Sequence, residues 1–323
     1  MKPSHRFAAA ALILSALSAQ AAAQAWPAKP IRVLIEVAAG GITDIILRQA
    51  SNDMLPRIGQ PLILENRAGA NGIIAMEACA KAPPDGYTLC MFAPNGAVWN
   101  AHVFNKLPYN PDKDLRGITR MYFQIESILA KASLPANSLQ ELQSMAVAKP
   151  GTLNAGTLGP GSQPDVFRQW LADRWKTQIV GVPYKGGALV LTALLAGEVD
   201  IAQIGLGNAA GVLDSGKIKV FAVGGTKRMK QLANVPTMTE LGMQDAPGSV
   251  FWGIGAPAGT PDAIIARMNS EIHRLYQDEK FVALHESRFL EPAPTGAAEF
   301  DAYLKQQREF AGVLAKRFNI PKQ

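Results

Sequence analysis

Two glycine-rich junctions constrain the fold of this chain more than any other sequence feature. Gly40-Gly41 lie between an apolar run at residues 31–37 and a helical pattern at residues 45–58. The sequence GTLGPGSQPD, residues 156–165, stands in the same place between a short apolar run at residues 153–155 and a second helical pattern. A strand, a glycine loop and a helix in succession predict α/β units built on a largely parallel sheet.

The remaining chain repeats this alternation, and its 323 residues suffice for two domains. The patterns predict further strands at residues 62–65, 88–92, 179–182, 199–204, 220–223 and 250–256. They predict further helices at residues 73–81, 188–196 and 297–316, a capping box at residues 138–141 and a helix start at residues 260–262. We expect the two C-terminal helices to pack against the core, the last one through Phe300, Tyr303, Leu304, Phe310 and Leu314.

The first 25 residues have the layout of a secretory signal peptide. Lys2, His5 and Arg6 precede an apolar run at residues 7–22, and small residues suited to cleavage follow. Because the run is shorter than a typical membrane-spanning helix, we favour cleavage over a retained anchor. No later run of about 18 apolar residues occurs, which predicts a soluble, exported mature protein.

The composition argues against disorder and against nucleic-acid binding. The chain is 48% hydrophobic and 18% charged, as expected for a protein with substantial cores. Loss of Lys2 and Arg6 lowers the formal net charge from +6 to +4, and the remaining charge is spread along the chain. A dense basic block of the kind that binds nucleic acid is missing from the sequence.

Two cysteines occur in the chain. Cys79 falls in a predicted helix and Cys90 in a predicted strand, so a disulfide requires these elements to pack closely. An oxidising compartment would permit the bond. We nevertheless expect two buried free thiols, with the disulfide as the alternative, and two cysteines alone make no metal site.

The glycine junctions are candidate anion sites. Ligands of open α/β sheets bind beyond the carboxyl ends of strands, where helix starts present unpaired N–H groups and a partial positive charge. Glycine lets a ligand approach these N–H groups. A tight strand-to-helix turn without any ligand is the alternative, and the presence of two such loops makes the two interpretations about equally good.

Searches for catalytic motifs fail. His102, His273 and His285 have no partner at metal-ligand spacing, and the last two fall in surface-type helices. Glu36, Asp44 and Asp165 lie near the loops and could act as bases, but nothing pairs them with a nucleophile. We therefore predict no enzyme, no cofactor and no metal site.

The order of motifs resembles the Bug family, the substrate-binding proteins of tripartite tricarboxylate transporters, over essentially the whole mature chain. The motifs are WPAKPIRVL (26–34), GGITD (40–44), ENRAGANG (65–72), PPDGYTL (83–89), KLPYNPDKDL (106–115), AKPGTLN (148–154), VPYKGG (182–187), NVPTMTELG (234–242) and GAPAGTP (255–261).

The resemblance implies a periplasmic binding protein of the type II, Venus-flytrap form. Residues 1–25 would be the signal peptide, residues 26–124 with 248–323 one discontinuous domain, and residues 125–247 the other, joined by crossing strands. A small carboxylate would bind in the cleft between the domains, and membrane subunits of a transporter would receive it. The exact ligand and the oligomeric state stay open.

The resemblance also implies a set of ligand-binding residues, held mainly through backbone N–H groups and ordered waters. They are Ala39, Gly40, Gly41, Thr43 and Asp44 in the first junction, Asn95 after a strand, Thr157, Gly161 and Ser162 in the second junction, and Tyr184, Lys185 and Gly186 in the YKG turn.

Three segments of the chain depart from the family pattern. The family usually has Pro-Phe-Pro-Pro at residues 36–39, where this chain has Glu-Val-Ala-Ala, and it usually has His in place of Asp165. Ile204-Gly205 stand where an acid is common. A neutral, mixed or more apolar acid is therefore as good a candidate ligand as a tricarboxylate.

Two other functions use the same scaffold. A sensor would hand its closed form to a signalling kinase in place of a transporter. An enzyme would need a base with a shifted pKa in the cleft, for which Glu36 or Asp165 would be the candidates.

Overall fold

The structure, a computed structural model, describes residues 26–37, 39–225, 227–247 and 250–322, so the predicted signal peptide lies outside the described residues. Two sheets with helices on both faces make up this part of the chain. We call each sheet with its helices a lobe. Within the described ranges, no helix is both long and apolar enough to cross a membrane.

The sheet of the first lobe combines strands from both ends of the chain. Its strands are β1 (Ile31–Ile35), β2 (Leu62–Asn66), β3 (Thr88–Phe92), β4 (Leu115–Gln124), β10 (Val250–Pro257) and β11 (Leu290–Pro292). They lie in the order β11-β4-β10-β3-β1-β2. β1 is parallel to β2 and β3, with Val33 opposite Leu64 and Leu89, whereas β10 is antiparallel to β3 and β4.

The sheet of the second lobe comes from the middle of the chain. Its strands are β5 (Glu126–Lys131), β6 (Leu153–Thr157), β7 (Ile179–Pro183), β8 (Ile201–Gly205) and β9 (Ile218–Val223), in the order β7-β6-β8-β5-β9. β6 is parallel to β7 and β8, and β5 is antiparallel to β8 and β9. The predicted α/β class is confirmed, but each sheet is mixed and the parallel arrangement holds only for part of it.

The chain passes directly from one sheet to the other through Ile125. β4 ends at Gln124 and β5 begins at Glu126, so a single residue separates strands of different lobes. The sequence patterns did not predict either strand. The boundaries after residues 124 and 247 remain a prediction, which the membership of β4 and β5 in different sheets supports.

Helices of the first lobe enclose two hydrophobic clusters, one on each face of its sheet. The helices are α1 (Ile42–Ile58), α2 (Ile73–Ala80), α3 (Asn100–Val103), α7 (Asp262–Leu275), α8 (Glu279–Ser287) and α9 (Ala297–Arg317). α1, α7 and α8 cover one face. α2, α3 and α9 cover the other. Alternate residues of β1 supply both clusters, since Val33 packs in the first and Leu34 in the second.

The second lobe repeats this arrangement with α4 (Leu139–Ala148), α5 (Gln163–Trp175) and α6 (Gly187–Ala196). α4 and α5 cover one face of the sheet, and α6 covers the other. The capping box predicted for α4 is present in modified form. The Ser138 hydroxyl accepts the Glu141 N–H, whereas the Glu141 carboxylate accepts the N–H of Asn137, the residue before the cap.

Cys79 and Cys90 form a disulfide, so the expectation of two free thiols is wrong. α2 packs on the sheet beside β3, which brings the two Cα atoms to 6.2 Å. Both residues are fully buried. The sequence could not give the distance, because nothing in it fixes how α2 lies on the sheet.

Two side-chain environments in the C-terminal helices differ from expectation. His285 of α8 is fully buried in an aromatic cage, with its ring 5.2 Å from the Tyr122 ring and 4.7 Å from the Phe281 ring. Its Nδ1 lies 2.8 Å from the Phe281 carbonyl oxygen, and burial lowers its pKa. Phe310 of α9 is 36% exposed, because the helix turns this position away from the sheet.

Candidate functional site

The two glycine junctions lie at the carboxyl ends of strands, where α/β sheets bind ligands. The first loop, residues 39–41, follows β1 and precedes α1. The second loop, residues 158–162, follows β6 and precedes α5. The first loop belongs to the first lobe and the second loop to the second lobe, so a ligand held by both would join the lobes.

An internal carboxylate holds the first loop. Gly40 has a φ of +83°, and its N–H donates to Asp44 Oδ2 at 3.2 Å. Arg48 Nε donates to the same oxygen at 2.9 Å. The hydrogen bond from Arg48 is the main cause of the lowered pKa of Asp44. Asp44 is buried, so its carboxylate serves the loop and is not presented to a ligand.

The first helix begins earlier than predicted. Gly41 is the N-cap and has no side-chain capping bond, and the helix starts at Ile42, three residues before the predicted residue 45. The left-handed conformation of Gly40 turns the chain before Gly41 and lets the helix start at Ile42. Ala39, Gly40 and Gly41 are exposed at this helix start.

Thr43 ties the first turn of α1 to the sheet. The Tyr122 hydroxyl donates to Thr43 Oγ1 at 3.2 Å, and both side chains are buried. Tyr122 belongs to β4, the strand that leads into the second lobe. The start of the first helix is therefore anchored to the strand that leads directly into the second lobe.

The second loop is built in the same way as the first. The Gly161 N–H donates to Asp165 Oδ2 at 3.0 Å, and Gly161 has a φ of +73°. Arg168 donates from Nε to Asp165 Oδ1 at 2.9 Å, and Gln169 Nε2 donates to Oδ2 at 2.9 Å. Asp165 thus replaces the His of the family pattern with a buried, fully bonded carboxylate.

Both predicted hydroxyl residues of the second junction shape the loop. Ser162 donates to the Gly159 carbonyl oxygen at 2.6 Å and accepts the Leu158 N–H at 3.2 Å. Thr157, at the end of β6, accepts the Gly159 N–H at 3.4 Å and is buried. These hydroxyl groups therefore fix the backbone of the loop.

A backbone hydrogen bond joins the YKG turn, residues 184–186, to the end of β6, directly before the second loop. The Tyr184 N–H donates to the Thr157 carbonyl oxygen at 2.8 Å. The Tyr184 hydroxyl donates to Glu198 Oε2 at 3.2 Å, within the second lobe. Lys185 is exposed, and Gly186 is the N-cap of α6. The start of α6 is therefore a third helix start, in addition to those of α1 and α5.

Asn95 and Glu36 lie at the ends of β3 and β1 in the first lobe. Asn95 is exposed and opens a π-helical turn, Asn95–Trp99. Glu36 points away from the first loop into the lobe, where burial raises the pKa of its carboxyl to about 8 despite a hydrogen bond from the Gly96 N–H. A β-carbon at Gly72 or Gly96 would collide with Glu36, so these two glycines make room for the carboxyl.

A hydrogen-bonded chain of three amides and an acid connects the second junction with β4 and β5, the two strands on either side of Ile125, and only Gln203 and Glu126 of this chain are buried. Gln163 Nε2 donates to Gln203 Oε1 at 3.2 Å, and Gln203 Nε2 donates to Glu126 Oε2 at 3.1 Å. Gln124 Nε2 donates to Glu126 Oε1 at 2.8 Å. Burial raises the pKa of Glu126 to about 8. Sequence reasoning missed this chain, because its members come from four separate elements.

Gly205 explains one departure from the family pattern. A β-carbon at this position would overlap the Gln124 side chain, so glycine leaves the space that the Gln124 amide fills. Glu126 lies opposite Gly205 in the paired strands, so a carboxyl stands beside the position where the family pattern commonly has an acid.

The structure brings the lobes together beside the first helix. A β-carbon at Gly207 would lie 3.1 Å from Ile42 Cδ1 and 3.2 Å from the Arg288 carbonyl oxygen. Among the residues that the structure describes, no hydrogen bond joins the first loop to the second. In the same part of the chain, no cluster of His, Cys, Asp and Glu is suited to a metal ion.

The helix starts and the paired aspartates are better suited to binding an anion than to transferring a proton. The first-turn N–H groups of α1, α5 and α6 have no intrahelical acceptor and carry partial positive charge. Arg48 and Arg168 compensate the two internal aspartates, so neither loop carries an uncompensated carboxylate. A signal for this design existed in the sequence, as Gly-x-x-x-Asp occurs at residues 40–44 and at residues 161–165.

A family comparison decides the classification. Residues 46–320 match the family model TctC, described as tripartite tricarboxylate transporter family receptor. The chain belongs to the TctC family. A UPF0065 protein of Bordetella pertussis is 32% identical over 318 residues, which cover 98% of each chain. The resemblance noted from the sequence motifs is thus confirmed.

Solved structures of TctC-like proteins share the fold. The periplasmic binding protein BugD is 26% identical, covers 92% of this chain and 100% of its own, and has a TM-score of 0.76. An R. palustris protein with adipate is 26% identical over 92% and 100% of the chains, with a TM-score of 0.80. MatC of Rhodopseudomonas palustris with bound malate is 27% identical over 90% and 99%, with a TM-score of 0.73.

These comparisons confirm the two-domain periplasmic binding protein fold. The family and the structural neighbours are receptors and binding proteins. They do not assign individual residues, so the predicted ligand-binding set stays a prediction.

Proposed function

We propose that this TctC protein is a periplasmic receptor that captures a small carboxylate between its lobes. The paired loops carry the proposal, because each lobe presents a glycine-led helix start whose own aspartate is already compensated by an arginine. A ligand carboxylate bound between them would accept N–H groups from both lobes and favour the closed form.

The ligand class follows from the helix starts and from the neighbours. One solved relative carries adipate and another carries malate, which are both small dicarboxylates. Two helix starts, one in each lobe, would match a ligand with two anionic ends. We therefore propose dicarboxylates as the leading class. The proposed contacts are Ala39, Gly40, Gly41, Thr43, Asp44, Asn95, Thr157, Gly161, Ser162, Tyr184, Lys185 and Gly186.

The proposed contacts are not equivalent. Asp44 and Thr43 act through the helix start that they fix, since both side chains are buried and bonded within the lobe. Gly40 and Gly161 have their N–H groups bonded to aspartates, so they act by shaping the loop. Gly41 is left as the exposed N-cap of the first helix and is the sharpest single test.

We propose that the protein is a receptor and not an enzyme. The two candidate bases do not suit proton transfer in the cleft. Asp165 is paired with Arg168 and caps its own loop. Glu36 is enclosed between Gly72 and Gly96 inside the first lobe.

Export and transport complete the proposal. The buried disulfide fits an oxidising compartment, and residues 1–25 fit a cleaved signal peptide. The family description supports delivery to the membrane subunits of a tripartite transporter. No feature of the described residues favours the sensor alternative.

The test is a binding experiment on mature protein that has been unfolded and refolded to remove any bound ligand. Adipate, malate, citrate, benzoate, glutamate and a neutral diamide would be compared by thermal shift and then by calorimetry. A ligand that binds only the folded protein raises its melting temperature. We expect a clear shift with dicarboxylates and none with the diamide.

Gly41→Val and Gly296→Val form a matched pair of variants. Both glycines are helix N-caps with extended backbone, with φ and ψ of −75° and 172° at Gly41 and of −62° and 157° at Gly296. We expect Gly41→Val to abolish the shift and Gly296→Val to retain it. Unchanged affinity in Gly41→Val would reject the first loop as the ligand site.

A further inference from the structure

The C-terminal tail, residues 318–322, leaves a helix of the first lobe and lies on the second lobe. α9 packs on the first sheet and ends at Arg317. Phe318 then packs against hydrophobic residues of both lobes. Asn319 has a φ of +46°, and the Ile320 N–H donates back to the Ala315 carbonyl oxygen at 2.9 Å. The tail is thus a hydrogen-bonded turn and follows a defined path.

Ile320 packs directly on the second loop. It is 9% exposed and shares a hydrophobic cluster with Val166 of α5 and Leu314 of α9. A β-carbon at Gly161 would lie 2.8 Å from Ile320 Cγ2, so the isoleucine touches the glycine backbone itself. Ile320, which follows the last helix of the first lobe, therefore contacts the loop that precedes α5 of the second lobe.

A second contact fixes the end of α9 to the second lobe. Arg317 pairs with Asp173 in the last turns of α5. The end of α9 and the tail are consequently attached to α5 near both ends of that helix, through Arg317 of α9 and Ile320 of the tail.

The loop has room to move if the tail contact is lost. A cavity of about 380 Å³ lies between the loop and the tail. Thr157, Gly161, Asp165 and Arg168 line one side, and Phe318 and Ile320 line the other. Shortening the Ile320 side chain would extend this cavity to the Gly161 backbone, which Ile320 Cγ2 now contacts.

Among the described residues, Gly40 of the first loop has no comparable contact. A β-carbon at Gly40 would meet nothing within 4 Å, and its N–H is bonded to Asp44, which Arg48 also contacts. The two junctions share their internal aspartate but differ in this external contact. The difference makes the second loop the one that the rest of the molecule can adjust.

We propose that Ile320 is a positioning residue for the second loop: through the tail, the first lobe holds Gly161 in its left-handed conformation and keeps the start of α5 ready for a ligand. The effect on ligand affinity rests on the proposed function. The effect on the loop itself does not.

The test uses Ile320→Ala, with Ile320→Val as a milder variant and Val313→Ala as a matched control. Val313 is also an aliphatic residue of the C-terminal region, but it is 61% exposed and lies on α9. Hydrogen exchange would follow the amides of Ser162 and Val166, which donate to the carbonyl oxygens of Gly159 and Ser162.

We expect Ile320→Ala to speed exchange at Ser162 and Val166 by roughly tenfold, because local opening of the loop becomes easier. Ile320→Val should lie between Ile320→Ala and the parent protein, and Val313→Ala should match the parent protein. Amides of the first turn of α1 should be unaffected in all three. Equal exchange in Ile320→Ala and Val313→Ala, or equal acceleration in α1, would overturn the proposal.

Calorimetry with adipate and with malate separates the two proposals. If the parent protein binds either acid, Ile320→Ala should bind it roughly tenfold more weakly. The apparent affinity falls because only a fraction of the variant has the loop ordered before binding. If the parent protein binds neither acid, the proposed ligand class fails, while the exchange data still decide the role of Ile320. Binding that is unchanged in a variant with faster loop exchange would reject positioning for the ligand.

Discussion

Asp44 and Asp165 hold the same place in the first turn of two helices from different lobes. Each is the third residue after the N-cap, accepts the N–H of the glycine four residues earlier, and pairs with an arginine about one turn later. Each loop is therefore locked from inside by its own helix. The helix start can then offer its other N–H groups without depending on a ligand for its shape.

Asp44→Asn should destabilise the protein in a pH-dependent way. The lowered pKa of Asp44 means that its ionised form is favoured by folding, so its contribution is present above the unfolded pKa of about 3.8 and is lost as the pH falls through the folded value. We expect Asn to lower the free energy of unfolding by about 0.5–1 kcal/mol at pH 7, the usual size of a carboxylate at a helix start. Urea unfolding at pH 7 and near pH 2.5 measures the difference, which should be smaller at the lower pH. A loss of equal size at both values would show that charge is not the cause.

Glu126 should make stability fall as the pH rises through neutrality. Its folded pKa of about 8 exceeds the reference value of 4.5, so the folded protein holds a proton that the unfolded chain releases between these values. The free energy of unfolding then decreases by up to about 1.4 kcal/mol per pH unit for this group. Glu126→Gln should remove this slope, leaving a variant that is less stable than the parent at pH 5 and relatively more stable at pH 8.5.

Glu36→Gln provides the comparison for this pH effect. Glu36 has the same raised pKa of about 8. It directly follows β1, whereas Glu126 is the first residue of β5. We expect each single variant to flatten part of the pH dependence and the double variant to flatten both parts. Urea unfolding curves of parent and variants that stay parallel from pH 5 to 8.5 would contradict a protonated carboxyl at either site.

The disulfide should be a main support of the first lobe. Cys79 and Cys90 are separated by 11 residues, and a loop of this size contributes about 2–3 kcal/mol in the chain-entropy description. The double variant Cys79→Ala, Cys90→Ala should therefore melt at a lower temperature than the oxidised parent. Reductant should lower the melting temperature of the parent but not of the variant. A thiol titration that finds two free thiols in unfolded, unreduced parent protein would reject the bond.

Tyr122→Phe should loosen the start of the first helix. It removes the hydroxyl that donates to Thr43 and leaves a buried threonine oxygen without that donor, which should cost about 1 kcal/mol. Tyr303→Phe is the matched control, because the Tyr303 hydroxyl is buried without a hydrogen-bond partner among the described residues. Thermal unfolding should show a loss for Tyr122→Phe and no loss for Tyr303→Phe. Equal losses would mean that the ring environment, and not the Thr43 bond, is responsible.

Local patterns predicted most of the elements but not the path between the lobes. β3 was predicted with its observed bounds, and α1 and α9 were predicted within three residues at each end, since glycine, proline and helical spacing mark them. β4 and β5 were missed. Their sequences mix charged and apolar residues without clear alternation, because consecutive residues of both strands are buried on both faces of the sheets.

Features that depend on packing between distant segments escaped sequence reasoning. The Cys79–Cys90 bond needs the angle at which α2 lies on the sheet. The burial of His285 needs the positions of Tyr122 and Phe281 around it. The contact of Ile320 with Gly161 joins residues 159 positions apart. In each case the local sequence is ordinary, and the environment is created by another part of the chain.

The place of β10 in the first sheet sets an order of assembly. β10 lies between β3 and β4, yet it follows every strand of the second sheet along the chain. A polypeptide made from its N-terminus can thus complete the second lobe while the first still lacks an inner strand. The half that is synthesised first is the half that finishes last, and it stays open until residue 257 is available to close the gap between its two earlier strands.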